Sequence, residues 1–328
     1  MGVILAKAPL RISLGGGGTD LRSYYEAHEG FLIAGAINQY VYIMIHAAFR
    51  KTFQLKYSQI EEVEDANTIK HPIFREALTR YWNGEPLEVH SIADVPAGTG
   101  MGSSGSFTVA LLKALSQGRH VATTPSQLAE QACEIEIDFL KEPVGKQDQY
   151  VAAHGGICAY TFHQDGRVTV EPLSLSQVTL EKMHNQMLLF YTGEIRSASK
   201  ILADQNNRSR ANDSEMLDNL HRTKEMGYES RKLLESGDLV AYAELMNEHW
   251  QNKRRRSKDM ANPHIDSLYE LALKNGAIGG KLIGAGGGGF LLVYSESPTH
   301  TRDAMAQVGA QELPFEFEFS GAVAQGLV

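Results

Sequence analysis

Glycine is concentrated at three distant points of this chain, and this constrains the fold more than any other feature. The sequence has 31 glycines in 328 residues, where an ordinary chain of this length has roughly 23. Thirteen of them lie in short clusters at residues 15–18, 98–105 and 284–289. Each cluster by itself is typical of a surface loop. Three clusters with polar residues at set positions instead predict places where bare backbone must approach a neighbour or a ligand.

Composition indicates a folded protein and excludes several classes of partner. Hydrophobic residues make up 43% of the chain and charged residues 21%, which suits a packed core, and the length suits about two domains. The net charge of −8 argues against nucleic acid and anionic lipid as partners. No apolar run reaches the roughly 18 residues of a membrane helix. We expect a cytoplasmic protein, monomeric or homodimeric, with a small-molecule substrate.

Helical and strand patterns alternate irregularly along the chain, which predicts an α+β fold. The predicted strands cover residues 3–14, 31–49 with a turn at Asn38, 52–58, 87–92, 157–162, 168–172, 187–191, 290–294 and 314–319. The predicted helices cover residues 21–28, 71–83, 103–117, 127–139, 145–153, 198–236 with breaks, 239–258, 264–275 and 301–308. A boundary near residue 175 would divide the chain into domains 1–175 and 176–328.

Two common nucleotide-binding motifs are excluded by the residues around the glycines. A P-loop requires Lys followed by Ser or Thr after its last glycine, but Lys146 precedes Gln147 and Lys281 precedes Leu282. A dinucleotide-binding fingerprint lies between a strand and a helix, in that order. The third cluster has the reverse context, because the predicted strand 290–294 follows it. A dinucleotide-dependent dehydrogenase is therefore disfavoured.

The second glycine cluster has the pattern of a phosphate-binding loop. The residues that we expect to bind the phosphates of a nucleotide are Gly98, Gly100, Met101, Gly102, Ser103 and Ser104. An apolar helix follows, so converging backbone N–H groups and a helix N-terminus would both face an anion. The serine hydroxyls would reach phosphate oxygens or a magnesium ion. Ser103 or Ser104 is also a good helix N-cap, and the two interpretations are compatible.

Three segments in this order resemble the signatures of the GHMP kinases (galacto-, homoserine, mevalonate and phosphomevalonate kinases). Residues 96–106 resemble the family's Pro-x-x-x-Gly-Leu-Gly-Ser-Ser signature, with Met101 at the Leu position. Residues 8–14 and 281–289 resemble its first and third signatures. The resemblance implies an ATP- and Mg²⁺-dependent kinase with its site between two α+β domains. The first would be a ribosomal-protein-like β-α domain with a left-handed crossover, and the second would be ferredoxin-like.

The resemblance also implies roles for particular residues. Glu136 and Ser104 would hold Mg²⁺, although Glu136 is also readable as a helix-surface charge. Asp148 would lie beside the acceptor hydroxyl, as general base or as electrostatic orienter. Arg11 would stabilise the ionising hydroxyl, unless it is an ordinary surface residue of a strand.

Substrate-binding residues are expected in the other two glycine clusters. The candidates are Gly17, Gly18, Thr19, Asp20, Gly286 and Gly287. Thr19 and Asp20 are equally suited to cap the following helix. A substrate with its own phosphate needs a second anion site, for which Arg196, Lys200 and the basic run 253–256 are candidates. Arg196 is preferred, because a basic run is usually a solvated helix face.

Further strings are similar to one branch of the family, the sugar 1-kinases that act on D-glycero-D-manno-heptose 7-phosphate. They lie at residues 15–21, 145–150 and 192–198 and at the pair His249-Trp250. This similarity implies phosphorylation of the anomeric hydroxyl to a 1,7-bisphosphate, for GDP-heptose and surface polysaccharide synthesis. A fucose-type sugar 1-kinase is the alternative. A catalytically inactive protein that binds a sugar or a nucleotide is a second one.

Overall fold

The computed structural model describes residues 2–194, 198–257 and 260–327. Within them the strands are β1 (Val3–Gly15), β2 (Gly30–Ala47), β3 (Phe53–Lys56), β4 (Ile60–Val63), β5 (Leu87–Ala93), β6 (Ile157–Phe162), β7 (Val168–Pro172), β8 (Met187–Tyr191), β9 (Ala277–Leu282), β10 (Phe290–Ser295), β11 (Gln311–Glu312) and β12 (Val323–Leu327). The α-helices are α1 (Arg22–His28), α2 (Pro72–Tyr81), α3 (Ser103–Gly118), α4 (Pro125–Cys133), α5 (Gln147–His154), α6 (Gln177–Gln186), α7 (Ala198–Arg210), α8 (Ser214–Ser236), α9 (Leu239–Arg254), α10 (Pro263–Lys274) and α11 (Pro298–Gln307). None of the helices in these ranges is long and apolar enough to cross a bilayer.

The first sheet is organised around the long strand β2. The strand order is β12-β1-β2-β5-β3-β4, and β6 with β7 also joins β2. The first part of β2 pairs with β6 and the last part with β5, while β1 runs along nearly its whole length. The predicted turn at Asn38 is wrong. The register shifts there by an extra pair of residues on β2, so the chain makes a bulge that bends one continuous strand between its two partners.

The second sheet is antiparallel, with the order β11-β8-β10-β9. The predicted strand 314–319 is wrong, since that segment makes one isolated bridge, between Phe317 and Ile37. Its residues cross from one sheet to the other, so they cannot stay in either ladder. The Leu313 N–H donates to Leu189 O of the second sheet at 2.8 Å, and the Glu318 N–H donates to Ala36 O of the first at 2.9 Å.

Two observations show how the sheets are joined. The last strand, β12, pairs with β1 in the first sheet. One hydrophobic cluster contains Leu10 and Ile12 of β1 together with Leu189 and Leu292 of the second sheet, all fully buried. The predicted α+β class is confirmed. The boundary near residue 175 and the handedness of the crossover stay predictions, and any division must group β12 with the first sheet.

Candidate active site

The three glycine clusters border one cavity of about 720 Å³. The cluster glycines that line it are Gly17, Gly18, Gly98, Gly100, Gly102 and Gly284, and Gly145 lines it as well. The second and third clusters also touch each other, because a Cβ on Gly284 would lie 2.4 Å from the Cα of Gly100. The prediction that the three loops meet at one cleft is confirmed, and their rigidity stays a prediction.

Arg11 and Asp148 form an ion pair at this cavity. Arg11 lies on β1, and its Nε and Nη2 approach the same Oδ1 atom of Asp148 at 2.8 and 2.7 Å. Its Nη1 donates to Gly100 O at 2.6 Å, so the guanidinium also anchors the second glycine loop. Both donors use one carboxylate oxygen, and the Oδ2 of Asp148 therefore remains for another partner. Arg11 is buried and is not a surface residue of a strand.

Glu136 is turned inward by an irregular helix. The predicted helix 127–139 is α4 followed by a π-helical turn, Glu134–Phe139, a device that often marks functional sites. Glu136 is 1% exposed, and it accepts hydrogen bonds from Ser104 Oγ at 2.5 Å and Gln149 Nε2 at 3.1 Å. Burial raises the pKa of its carboxyl to about 7. The interpretation of Glu136 as a helix-surface charge is wrong.

The Ser104–Glu136 pair fits a magnesium ion. Mg²⁺ prefers oxygen ligands and usually takes one or two from the protein, with water and substrate phosphate completing the shell. A hydroxyl and a buried carboxylate supply two such oxygens at the edge of the cavity. The described residues contain no group of three or more His, Cys, Asp or Glu that could hold a metal by themselves. A magnesium ion here would therefore depend on the nucleotide.

The second glycine loop ends at the N-terminus of α3. Gly98, Gly100 and Gly102 all have φ near +80°, and Gly102 precedes the helix without any side-chain cap. The Ser103 hydroxyl is buried and has no hydrogen-bond partner among the described residues, although it borders the cavity. Orphan N–H groups and this hydroxyl make an anion site. The interpretation of the serines as N-caps is not what the structure has.

Met101 differs from its neighbours in this loop. Its side chain is fully buried in the core and does not line the cavity. Its carbonyl oxygen accepts the Arg11 N–H at 3.1 Å. The predicted role of Met101 in phosphate binding is therefore limited to its main chain, because an apolar side chain gains more from burial than from the cavity.

In the first glycine cluster, Asp20 and Thr19 have different positions. Asp20 lines the cavity, and its oxygens accept the N–H groups of Gly18 and Gln147 at 3.1 and 3.2 Å. Burial, and then the nearby Asp148, raise its pKa. Thr19 is 0% exposed and donates to Gly16 O and Phe31 O. The geometry does not support Thr19 as a sugar ligand, since its hydroxyl already holds this loop to β2.

The third cluster also differs from the prediction. Gly286 and Gly287 face Met260: a Cβ on Gly286 would lie 2.1 Å from its sulfur, and the Gly287 N–H donates to Met260 O at 2.9 Å. Gly286 and Gly287 thus pack against Met260 beneath the loop. The residues of this loop that border the cavity are the two that precede them, Gly284 and Ala285. Arg196, the remaining predicted ligand, lies outside the described residues.

The basic run 253–256 is only partly a solvated face. Lys253 and Arg256 are buried and line the cavity, whereas Arg255 is exposed and Arg254 pairs with Asp266 at 2.8 Å. Sequence reasoning missed this division, although a signal was present. His249 lies four residues before Lys253, and Arg256 lies three residues after Lys253. This spacing is typical of residues that share one face of a helix. His249 lines the same cavity.

Lys281 is a further cavity residue that the sequence did not indicate. It lies on β9, is 2% exposed, and its Nζ has no hydrogen-bond partner within the described part of the chain. Burial, and then the charges of Arg11 and Arg256, lower its pKa to about 7. Lys281 begins the segment 281–289 that resembles the third family signature, three residues before Gly284, but that resemblance gave its side chain no role.

Comparison with protein families identifies the class to which this site belongs. The models of the GHMP kinases N-terminal domain and of the GHMP kinases C-terminal region match residues 67–156 and 230–311, together just over half of the chain. The chain therefore belongs to the GHMP kinases. The fold and the cavity between its two sheets agree with this membership.

Particular relatives are similar over most of the chain. The D-glycero-alpha-D-manno-heptose 7-phosphate kinase of Campylobacter jejuni is 28% identical over 90% of each chain. A bifunctional fucokinase/GDP-fucose pyrophosphorylase of Arabidopsis thaliana is 24% identical over 90% of this chain and 30% of its own length. The crystal structure of a D-glycero-D-manno-heptose 1-phosphate kinase from Bacteroides thetaiotaomicron superposes with a TM-score of 0.81, at 23% identity and 99% coverage of both chains.

Proposed function

We propose that this protein transfers the γ-phosphate of ATP to the anomeric C1 hydroxyl of D-glycero-D-manno-heptose 7-phosphate. The product is the 1,7-bisphosphate, a precursor of GDP-heptose for surface polysaccharides. The observation that carries the proposal is the presence of the Arg11–Asp148 and Ser104–Glu136 pairs in one cavity bordered by three glycine loops. The similarity to a heptose 7-phosphate kinase over 90% of the chain supports the choice of substrate.

The nucleotide phosphates bind at the N-terminus of α3. Backbone N–H groups after Gly100 and Gly102 and the free Ser103 hydroxyl donate to the phosphate oxygens. Ser104 and Glu136 would hold Mg²⁺, which would supply charge neutralisation for the transferred group. Beside such a cation the charged form of Glu136, which burial alone disfavours, would become favourable.

Asp148 and Arg11 act on the acceptor. The Oδ2 of Asp148 accepts the hydrogen bond of the sugar C1 hydroxyl, while Arg11 holds Oδ1 and keeps the carboxylate in place. The C1 oxygen attacks the γ-phosphorus, the bond from that phosphorus to its bridging oxygen breaks, and ADP leaves. The hydroxyl proton passes to the Asp148 carboxylate. Positioning and charge neutralisation do most of this work.

A panel of acceptors tests the proposal. Purified protein is incubated with ATP, Mg²⁺ and either the heptose 7-phosphate, the same heptose without phosphate, L-fucose or D-galactose, and ADP release is measured. We expect kcat/KM to be highest for the heptose 7-phosphate, and ³¹P NMR to show the new phosphate at C1. Turnover of unphosphorylated sugars alone would favour the fucose-type alternative. Absence of turnover with all four would favour a protein that binds without catalysis.

A further inference from the structure

Four basic side chains form a buried cluster at the part of the cavity that borders α9 and β9. They are His249, Lys253, Arg256 and Lys281, and their exposed fractions are 4, 7, 5 and 2%. All four line the cavity. We call this group the basic cluster. The roles derived for Arg11, Asp148, Ser104 and Glu136 do not use it.

The hydrogen-bond partners of the basic cluster are neutral. Lys253 Nζ donates to the carbonyl oxygens of Leu282 and Gly284. Arg256 donates to Asn219 Oδ1 at 2.7 Å, to Gly17 O at 3.2 Å and to the Thr223 hydroxyl.

The other two members have still fewer partners. Lys281 Nζ and both ring nitrogens of His249 have no hydrogen-bond partner among the residues that the structure describes. Several cations are thus buried together with carbonyls, amides and hydroxyls as their partners.

The charge of Asp20 acts favourably on Arg256, but the cluster as a whole remains costly unless a further anion enters it. Removal of a cation from water disfavours its charged form, and neighbouring cations add repulsion. In agreement, burial and the other members of the cluster lower the pKa values of Lys253 and His249. A bound dianion would reverse the repulsion and would supply acceptors to Lys281 and His249. The cluster therefore has the properties of a site for a phosphate group.

The position of the cluster indicates which phosphate it takes. Arg256 donates to Gly17 O of the first glycine loop, and Lys253 donates to Gly284 O of the third. The metal pair instead lies beside the second loop, where Ser104, in the first turn of α3, donates to Glu136. The charge of Arg11, which holds Asp148, lowers the pKa of Lys281. A substrate whose hydroxyl meets Asp148 would therefore have the basic cluster on the side of the first and third loops.

We infer that the basic cluster binds the phosphate that the acceptor already carries, with Lys281, Arg256 and His249 as its donors. The inference rests on the proposed function, because it assigns one end of that acceptor. Lys253 holds the third glycine loop against the phosphate through Gly284 O. The cluster makes the enzyme selective for a sugar phosphate over a free sugar.

Lys281→Met tests this assignment, because the ammonium has no hydrogen-bond partner among the described residues that the substitution would leave unpaired. We expect KM for the heptose 7-phosphate to rise by about tenfold or more, with KM for ATP changed by less than about threefold. For the same heptose without phosphate, kcat/KM should fall by a much smaller factor. Arg255→Met is the matched control, since Arg255 lies in the same basic run but is exposed. A rise in KM for ATP with an unchanged KM for the sugar phosphate would overturn the inference and place the nucleotide in the cluster.

A binding measurement separates this inference from the proposed reaction. Calorimetry is performed with a non-hydrolysable ATP analogue and Mg²⁺ present, so that the second glycine loop is filled, and the titrants are D-mannose 6-phosphate and inorganic phosphate. We expect the wild type and Arg255→Met to bind at least one of these probes, and Lys281→Met to bind it about tenfold more weakly or worse. Equal binding by Lys281→Met, or no binding by the wild type, contradicts the inference. A third outcome is that Lys281→Met loses this binding while the wild type does not phosphorylate the heptose 7-phosphate. That outcome would refute the proposed substrate and leave the phosphate site standing.

Discussion

At the scale of single residues, the site places two carboxylates in different environments. Asp148 and Glu136 are 12 residues apart in the chain. The Asp148 side chain is 29% exposed and pairs with Arg11, while Glu136 is buried beside Ser104 and Gln149. A partly exposed carboxylate with one oxygen unused suits a substrate hydroxyl. A buried carboxylate whose pKa stays raised despite its hydrogen bonds suits a cation, because a positive charge offsets the remaining cost of burial.

Asp148→Asn removes the charge and the proton acceptor while it preserves the shape of the side chain. We expect kcat for the sugar kinase reaction to fall by about 10²- to 10⁴-fold, with little change in KM for ATP. Asp138→Asn is the control, because Asp138 is a surface carboxylate that pairs with Arg22. Steady-state kinetics decide the matter: a kcat within tenfold of the wild-type value would exclude Asp148 from the proposed role.

Glu136→Gln has an effect on stability that depends on pH. The folded pKa of about 7 lies above the ordinary carboxyl value of 4.5, so the folded state holds this proton while the unfolded state releases it. The free energy of unfolding therefore falls as pH rises from about 4.5 to about 7, by a contribution on the order of 3 kcal/mol. The neutral Gln avoids this loss.

Thermal unfolding of the metal-free protein checks this prediction. We expect Glu136→Gln to be more stable than the wild type at pH 8, and the difference to shrink at pH 5. Stabilisation by Mg²⁺ with an ATP analogue should be weaker in the variant. A variant that loses stability relative to the wild type between pH 5 and pH 8 would contradict the assigned environment.

At the scale of elements, the site depends on loops that meet backbone to backbone. Gly284 presses on Gly100, and a Cβ on Gly289 would lie 2.1 Å from Thr99 O. Gly102 and Gly105 likewise allow α3 to pack directly against Asp148, because a Cβ on Gly105 would lie 2.7 Å from the Asp148 Cβ. The absence of a Cβ at these glycines thus allows neighbouring loops to pack backbone to backbone, which fixes their relative positions. The freedom of glycine in φ is only part of its role here.

Gly284→Ala separates these two effects when it is compared with Gly309→Ala. Both residues have φ near +77°, but the Cβ at position 309 would meet nothing within 4 Å. The control therefore carries only the backbone penalty of about 1 kcal/mol, whereas the Cβ at position 284 also overlaps Gly100. We expect Gly284→Ala to lose a further 1–3 kcal/mol or so in urea unfolding, and most of its activity. Equal losses in both variants would mean that the loops do not need this contact.

At the scale of the whole molecule, the two sheets share one hydrophobic cluster and a segment that crosses between them. Leu10 and Ile12 pack in the same cluster as Leu189 and Leu292, and β12 returns to β1. The cavity lies where these parts meet, so residues from both contribute to it. Because one hydrophobic cluster spans both sheets, the two parts are expected to unfold together.

The two tryptophans test this cooperativity. Trp82 follows α2, and Trp250 is fully buried on α9, so Trp250→Phe leaves a reporter beside the first sheet and Trp82→Phe leaves one beside the second. In urea, the fluorescence midpoint of each variant should coincide with its far-UV circular dichroism midpoint. Adding Leu292→Ala should lower both midpoints, with a loss of about 2–5 kcal/mol, while the exposed Val178→Ala should change neither. Separate fluorescence transitions would show two independent units.

Much of this site was predictable from local spacing. Glycine clusters followed by a helix or a strand are features of adjacent residues, and so the phosphate loop and the excluded motifs were visible in the chain. The candidate pair Glu136 and Asp148 was implied by the resemblance to the GHMP kinases. Most helices and strands were predictable from local spacing as well. The bulge at Asn38 and the crossing segment 314–319 were not, because each depends on which distant strand the chain pairs with.

By itself, the sequence determined where glycine leaves the backbone bare, and its resemblance to the GHMP kinases predicted which residues would carry the chemistry of phosphate transfer. Only the tertiary structure decided which of those residues face the cavity. Thr19, Gly286 and Gly287 turned out to hold the loops, while Lys253 and Arg256, which look like a solvated helix face, turned out to be buried beside Lys281. The physical reason is that periodicity reports which residues share a face, whereas the partner of that face is set by packing between distant parts of the chain.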